Sequence, residues 1–153
     1  RDCQTRLKPK ETIKNKGLCP SCAKPVTVGV MARVDELADR PEGEKAPRSR
    51  PFQNLIGLAS IIAEARGVGA QSKQVDVVFR QMLDKLGSEL SILMDVPLKD
   101  IQASAGDVVA EGVKRMREGK VNIAAGYDGE FGTIHIFTEE ERKNVEGQLA
   151  LFS

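Results

Sequence analysis

The chain has 153 residues, 41% of them apolar and 29% charged, with a formal net charge of +1. That balance describes one ordinary globular domain, or a small domain with an appendage, and the net charge by itself argues against a strongly nucleic-acid-bound protein. No run of about 18 apolar residues occurs and no signal peptide opens the chain, so no membrane-spanning helix is expected. Charge is distributed unevenly. Residues 1–50 hold 12 Lys/Arg against 7 Asp/Glu, residues 51–120 hold 9 against 9, and residues 121–153 hold 2 against 6. A basic front suggests a face for an anionic partner. The first residue is Arg1 rather than Met, and the chain is therefore expected to be a piece of a longer protein.

Residues 1–34 read as a zinc-ribbon-like module. In "GLCPSCAKPVTVGV" a Cys-Pro-x-Cys turn aims Cys19 and Cys22 at one point, and "PVTVGV" is predicted to leave the site as a strand. A structural zinc site takes four ligands. Cys3 is the expected third; no fourth cysteine exists, so a cysteine just before Arg1 in a longer parent, water, Asp2 or the lone His135 is expected to complete the shell, or the site is empty in this fragment. A Cys3 disulfide with either knuckle cysteine is an alternative, although it strands one thiol. A redox C-x-x-C is another, although such motifs usually open a helix near a βαβ unit.

Residues 35–54, rich in proline and charge, read as an irregular connector. Residues 55–119 read as a helical domain. "NLIGLASIIAEARG" suits a helix or an extended entry into one, stopping at Gly67. "SKQVDVVFRQMLDKLG" sets Val75, Val78, Phe79, Met82, Leu83 and Leu86 at helical spacing and is closed by Gly87. "SELSILMDV" is a short helix with Ser88 as N-cap. "PLKDIQASAG" is the next, and "DVVAEGVKRMREGK" follows it, capped by Asp107. Residues 120–138 alternate in polarity around Gly and Asp-Gly and read as a β-hairpin. Residues 139–153 form an acidic tail. The fold class expected is α+β.

"ARGVGAQSKQV" and "ASAGDVVAEGV" each place glycine at a turn between helices. They resemble degenerate tandem helix-hairpin-helix modules, in which backbone N–H groups at a helix N-terminus meet a DNA phosphate and glycine permits the approach. Gly67, Val68 and Gly69 match the hairpin, whereas Lys73 stands where a small residue is usual. In the second copy Gly106 and Ala110 match, while Ser104 replaces the first glycine. Lys114, Arg115, Arg117 and Lys120 are candidate flanking phosphate contacts. Binding of this kind is sequence-independent and salt-sensitive.

Together, "CPSCAKPVTVGVMARVDELADRPEG", "RPFQNLIGL", "GSELSILMDVP" and "GYDGEFGTI" resemble the C-terminal portion of the endonuclease Q family, whose members join an N-terminal PHP-type phosphoesterase domain to a zinc-binding module and a helical domain. The resemblance implies a parent that cuts DNA 5′ of deaminated bases or abasic sites with metals held in its PHP domain. It makes this chain a non-catalytic DNA-binding and targeting region with structural zinc, partnered by DNA and by that PHP domain. Some relatives are labelled UvrD-type helicases, but no Gly-x-x-x-x-Gly-Lys-Ser/Thr loop is present to hold a nucleotide. The competing expectations are a zinc-ribbon protein-interaction adaptor and an accessory domain of such a helicase. At the end of the chain, "QLALF" resembles the pentapeptide that docks bacterial repair proteins on the sliding clamp, with Gln148, Leu149, Leu151 and Phe152 at its informative positions. A bacterial cytoplasmic setting follows as the expectation.

Overall fold

A computed structural model describes residues 3, 5–126, 130–138 and 140–141. Its elements, in chain order, are α1 (Pro9–Lys14), α2 (Val30–Leu37), α3 (Leu58–Ala65), α4 (Lys73–Leu86), α5 (Glu89–Met94), α6 (Leu98–Ala105), α7 (Asp107–Arg117), β1 (Asn122–Ala124) and β2 (Thr133–His135). The chain divides into two units, Arg1–Pro51 with Ala125–Gly132, and Phe52–Ala124 with Thr133–Ser153. No described helix is long and apolar enough to cross a membrane.

The first unit is built around a cysteine turn and two short helices. Pro9 and Glu11 open α1, where proline loses nothing at a first-turn position and the Glu11 carboxylate accepts the Lys8 N–H at 2.7 Å. The segment expected as a strand after Cys22 is not one. A single bridge joins Leu18 to Pro25, and the chain then turns into α2 from Gly29. Val26, Thr27 and Val28 have strand-forming side chains but no neighbouring strand among the described residues, and an unpaired strand is not stable alone. Cys19 is the one buried apolar residue among the described residues of 1–51.

The second unit is a helical domain with a conventional core. α3 supplies Leu58, Ile61 and Ile62, each with no exposed surface; α4 and α7 pack against it, α6 packs on α4 and α7, and Met82, Ile101 and Val113 are equally buried. The periodicity of α4 holds as expected, with the Ser72 hydroxyl accepting from the Val75 N–H at 3.4 Å and Gly87 closing the helix at φ +95°. Ser88 caps α5 as expected, accepting from the Ser91 N–H at 3.2 Å. α7 differs. Gly106, at φ +92°, both ends α6 and caps α7, leaving Asp107 as the first helical residue, where its carboxylate accepts from the Gln102 amide at 2.7 Å. Only glycine holds that backbone angle without strain, so one residue makes the whole corner.

Two side chains tie distant elements together. Arg117 donates to the carbonyls of Ile92, Leu93 and Val96 at 2.7–2.8 Å, so the end of α7 satisfies the open C-terminal carbonyls of α5. The half-buried Glu64 carboxylate accepts the N–H groups of Ile136 and Phe137 at 2.9–3.1 Å, pinning the chain after β2 onto α3. β1 and β2 pair antiparallel with Ile123 opposite Ile134, which makes the expected hairpin; the Asp128-Gly129 turn lies outside the described residues.

Gly112 of α7 faces α3. A Cβ at this position would lie 2.8 Å from the Ile61 side chain and about 3.6 Å from the Phe137 ring. Gly112→Ala gains about 1 kcal/mol of helix propensity but incurs an overpacking cost of about 1–3 kcal/mol. The variant is expected to unfold at lower urea concentration than the wild-type chain. An unchanged or higher midpoint would mean that Ile61 swings aside freely.

Candidate functional site: a cysteine cluster and two glycine turns

The cysteine turn is closed by backbone bonds. Cys19 N–H donates to the Lys24 carbonyl at 2.8 Å, Ala23 N–H to the Cys19 carbonyl at 2.8 Å, and Val26 N–H to the Gly17 carbonyl at 2.9 Å. Ala23 sits at φ +58°, a left-handed conformation that costs a residue bearing a Cβ about 1–2 kcal/mol. That strain is the cost of reversing the chain directly after Cys22.

The turn brings Cys19 and Cys22 together with Cys3, and the three sulfurs lie within 4.8 Å of one another. Zinc–sulfur bonds of about 2.3 Å give sulfur separations near 3.8 Å in a tetrahedron, so the thiols need only a small inward shift to share one ion. Backbone N–H groups of Ser21 and Cys22, then the Thr5 hydroxyl, pull the Cys19 thiol down to about 6. The Cys3 thiol is pushed up to about 11, first by its hydrogen bond to the Cys22 sulfur and then by burial and its hydrogen bond to Cys19, both of which favour the protonated form. Such a donor set fits a thiophilic metal ion.

The alternatives fare as follows. All three cysteines are free thiols, and Cys19-x-x-Cys22 forms a turn rather than the start of a helix, unlike a redox pair. Among the described residues no fourth ligand joins the cluster. His135 lies on β2 with its Nδ1 3.8 Å from the Glu64 carboxylate, and Asp2 is outside the described residues.

The first glycine turn follows α3. Gly67 has φ +62°, its N–H donates to the Glu64 carbonyl at 3.3 Å, and Val68 N–H reaches back to the Ala63 carbonyl at 3.0 Å. This is a Schellman ending, with Val68 packed against the core as the accompanying apolar contact. Gly69 has open space around its Cα, and Lys73 is the first residue of α4. Four residues therefore separate Val68 from α4, a longer hairpin than the Gly-x-Gly pattern implies. The second turn is the single-residue Gly106 corner.

The basic residues after it are largely engaged within the fold. Arg115 donates to the Glu141 carboxylate through both terminal nitrogens, at 2.8 and 2.9 Å, and to Glu111 at 3.1 Å, and its guanidinium lies 5.0 Å over the Phe137 ring. Arg117 is held by three carbonyls, as described above. Lys114 pairs with Glu111 at 3.3 Å and Lys120 with Glu118 at 2.8 Å. Both lysines border a groove of about 550 Å³ that carries as many glutamates as basic residues. The pairs with Glu111 and Glu118 are local and readable in the sequence, whereas the Glu141 partner of Arg115, 26 residues away, and the carbonyls that hold Arg117 are not.

One feature of the tail was legible but missed. Thr138 and Glu141 form a reciprocal capping box. Thr138 N–H donates to the Glu141 carboxylate at 2.8 Å, and Glu141 N–H donates to the Thr138 hydroxyl at 3.2 Å. The spacing Thr-x-x-Glu in "TEEE" was the available signal. Gln148, Leu149, Leu151 and Phe152 lie outside the described residues.

Arg115, then the Thr138 N–H, holds the Glu141 carboxyl down to about 2 from an ordinary 4.5. A carboxyl with a depressed folded-state value stabilises the fold above its unfolded value and loses that contribution as pH falls toward the folded value. The stabilisation is therefore present above about pH 4.5 and fades towards pH 2, and it is small because the side chain is 40% exposed. Glu141→Gln should melt below wild type at neutral pH, with the difference vanishing towards pH 2; a pH-independent difference would locate the loss elsewhere.

Comparison with known proteins adds to this geometry. Residues 57–120 match the family model described as the MJ0043 C-terminal domain. Over 134 residues the chain is 33% identical to MJ0043 of Methanocaldococcus jannaschii, described as uncharacterized, which covers 86% of this chain and 17% of that protein. Among solved structures, the lesion-specific endonuclease PfuEndoQ from Pyrococcus furiosus aligns with a TM-score of 0.71 at 30% identity, over 93% of this chain and 36% of that one. Endonuclease Q in complex with a 27-mer duplex, an abasic lesion at its active site, aligns with a TM-score of 0.67 at 34% identity, over 92% and 35%. The chain spans about a third or less of the length of the proteins it matches. In sequence and in three-dimensional structure, it resembles a segment of endonuclease Q.

Proposed function

We propose that this chain is a DNA-binding, non-catalytic region of a DNA-repair endonuclease that acts on deaminated or abasic DNA. The observation that carries the reading is the alignment of more than nine-tenths of the chain with endonuclease Q at 30–34% identity, in one case with a protein crystallised on a lesion-bearing duplex. The chain's own chemistry agrees with a supporting role. Metal-assisted phosphodiester cleavage needs clustered histidines and carboxylates on metal ions, and this sequence holds one histidine. No feature favours the adaptor or helicase-accessory readings.

In this reading the Gly67 and Val68 N–H groups close α3, and the N–H of Gly69 and those of the first turn of α7 after Gly106 are offered to phosphates, with Lys73 and Lys114 beside them and Arg115 serving the scaffold. The cysteine cluster holds zinc, which when bound supplies no chemistry on DNA and acts as a structural centre. Helix α2 leaves Val30, Val34 and Leu37 exposed along one face, which supports a covering surface from the catalytic PHP domain of a longer polypeptide.

Zinc should matter most to the first unit, since residues 5–51 bury little else. Small metal-centred modules typically unfold without their ion. Chelation is expected to abolish amide-exchange protection in α1 and α2 and to leave α3–α7 protected. Equal protection with and without metal would show that the first unit folds on its own.

Binding to undamaged duplex should weaken steeply with salt, the log–log slope reporting about 0.9 per phosphate neutralised. Gly69→Leu should lower affinity without changing the melting temperature, whereas a flat salt response would return the helical unit to a packing role. The same titration against a bacterial sliding clamp tests "QLALF": removal of Leu151 and Phe152 should abolish a micromolar interaction, and equal binding by both forms would remove clamp docking from the proposal.

A further inference from the structure

The described residues 5–29 carry Arg6, Lys8, Lys10, Lys14, Lys16 and Lys24 against a single carboxylate, Glu11. All six basic side chains are exposed. Among the described residues, none of them has a carboxylate within ion-pair distance, in contrast to the paired cations at the end of α7. Unbalanced charge at this density repels itself and is relieved by a polyanion.

The same unit contains the tip of the hairpin. Phe131 lies there with 98% of its surface exposed, the most exposed large apolar side chain among the described residues. The tip is braced. The Arg6 guanidinium donates to the Ala125 carbonyl, and at Gly126 a Cβ would lie 2.5 Å from both the Glu130 carbonyl oxygen and the Gly132 nitrogen, so the two arms close on each other at a point only glycine permits. A fully solvated phenyl ring on a closed tip contributes nothing to this unit's own packing.

We infer that this cysteine-centred unit is itself a DNA-contact surface, in which the lysines of α1 and the cysteine turn neutralise phosphates and Phe131 stacks on an exposed base face. This rests on the DNA-binding reading above and adds to it a second surface, remote in sequence from the glycine turns. The division of labour follows from the chemistry. Lysine reads charge without sequence, whereas a phenyl ring has no use for a phosphate but matches the face of any base. Base faces become available where stacking is already broken, and inserting an apolar wedge costs least at a damaged or missing base. Phe131 therefore discriminates lesion-bearing from intact duplex.

The test uses the full chain with two duplexes of one sequence, one intact and one with an abasic analogue beside 2-aminopurine, whose fluorescence rises when it unstacks. Phe131→Ala removes no internal packing. It is expected to lose the fluorescence rise and to weaken binding to the abasic duplex roughly tenfold, within the range that base–aromatic stacking supplies, while leaving affinity for the intact duplex unchanged. Phe131→Trp should restore both. Replacing Lys10, Lys14 and Lys16 together by Ala should lower the salt slope on both duplexes by about 0.9 for each lysine that meets a phosphate. If both variants bind and unstack DNA as wild type does while Gly69→Leu does not, the inference fails and the patch is a protein-contact or merely solvated surface. If the wild-type chain binds neither duplex, the DNA-binding reading falls and this inference with it.

Discussion

The close approach of α3 and α7 at Gly112 is the constraint on which the helical unit depends. With no Cβ at 112, Ile61 fills the space a side chain would take, and the core face of α3 is fully enclosed at Leu58, Ile61 and Ile62. Both ends of α3 are then satisfied from outside the helix or just beyond it. Glu89 of α5 accepts the Leu58 N–H at 2.8 Å, and the Gly67 turn returns donors to its last carbonyls. Glu64, on the same helix, holds the N–H groups that follow β2. One helix thus fixes the start of the domain, the Gly67 turn and the root of the hairpin.

The cysteine-centred unit obeys a different rule. Its apolar side chains point outward, and its one buried apolar residue in 5–51 is Cys19, itself a candidate ligand. Hydrophobic burial, the dominant favourable force in folding, is almost absent there. In the proposed reading, coordination by the cysteines and a covering surface on α2 supply the stability that burial does not. That is why a surface of solvated lysines and a projecting aromatic ring can be maintained here: no core competes for them.

How much of this could be read from the sequence depends on how local each cause is. α4, α5 and the hairpin were legible because their signals, a serine cap, a glycine stop and a period of apolar residues, lie within the element. The strand expected after Cys22 was wrong because β-branched residues at 26–28 specify a strand only when a partner strand exists, and none is nearby among the described residues. The convergence of Cys3 with Cys19 and Cys22 was anticipated from residue type. The roles of Arg115 and Arg117 were not, because a guanidinium aimed at a phosphate and one aimed at a carboxylate or a carbonyl look alike in sequence. The capping box at Thr138 and Glu141 was written in the chain and overlooked among the other acidic residues.

The hairpin leaves the helical unit at Ala124, lends its tip to the cysteine-centred unit, and returns at Thr133. The chain therefore crosses between units three times. A single cut at the first crossing cannot release either unit intact, since residues 1–51 would leave without the segment that completes them. Expressed apart, residues 1–51 would lack the hairpin tip, and residues 52–153 would carry that tip without the unit it belongs to.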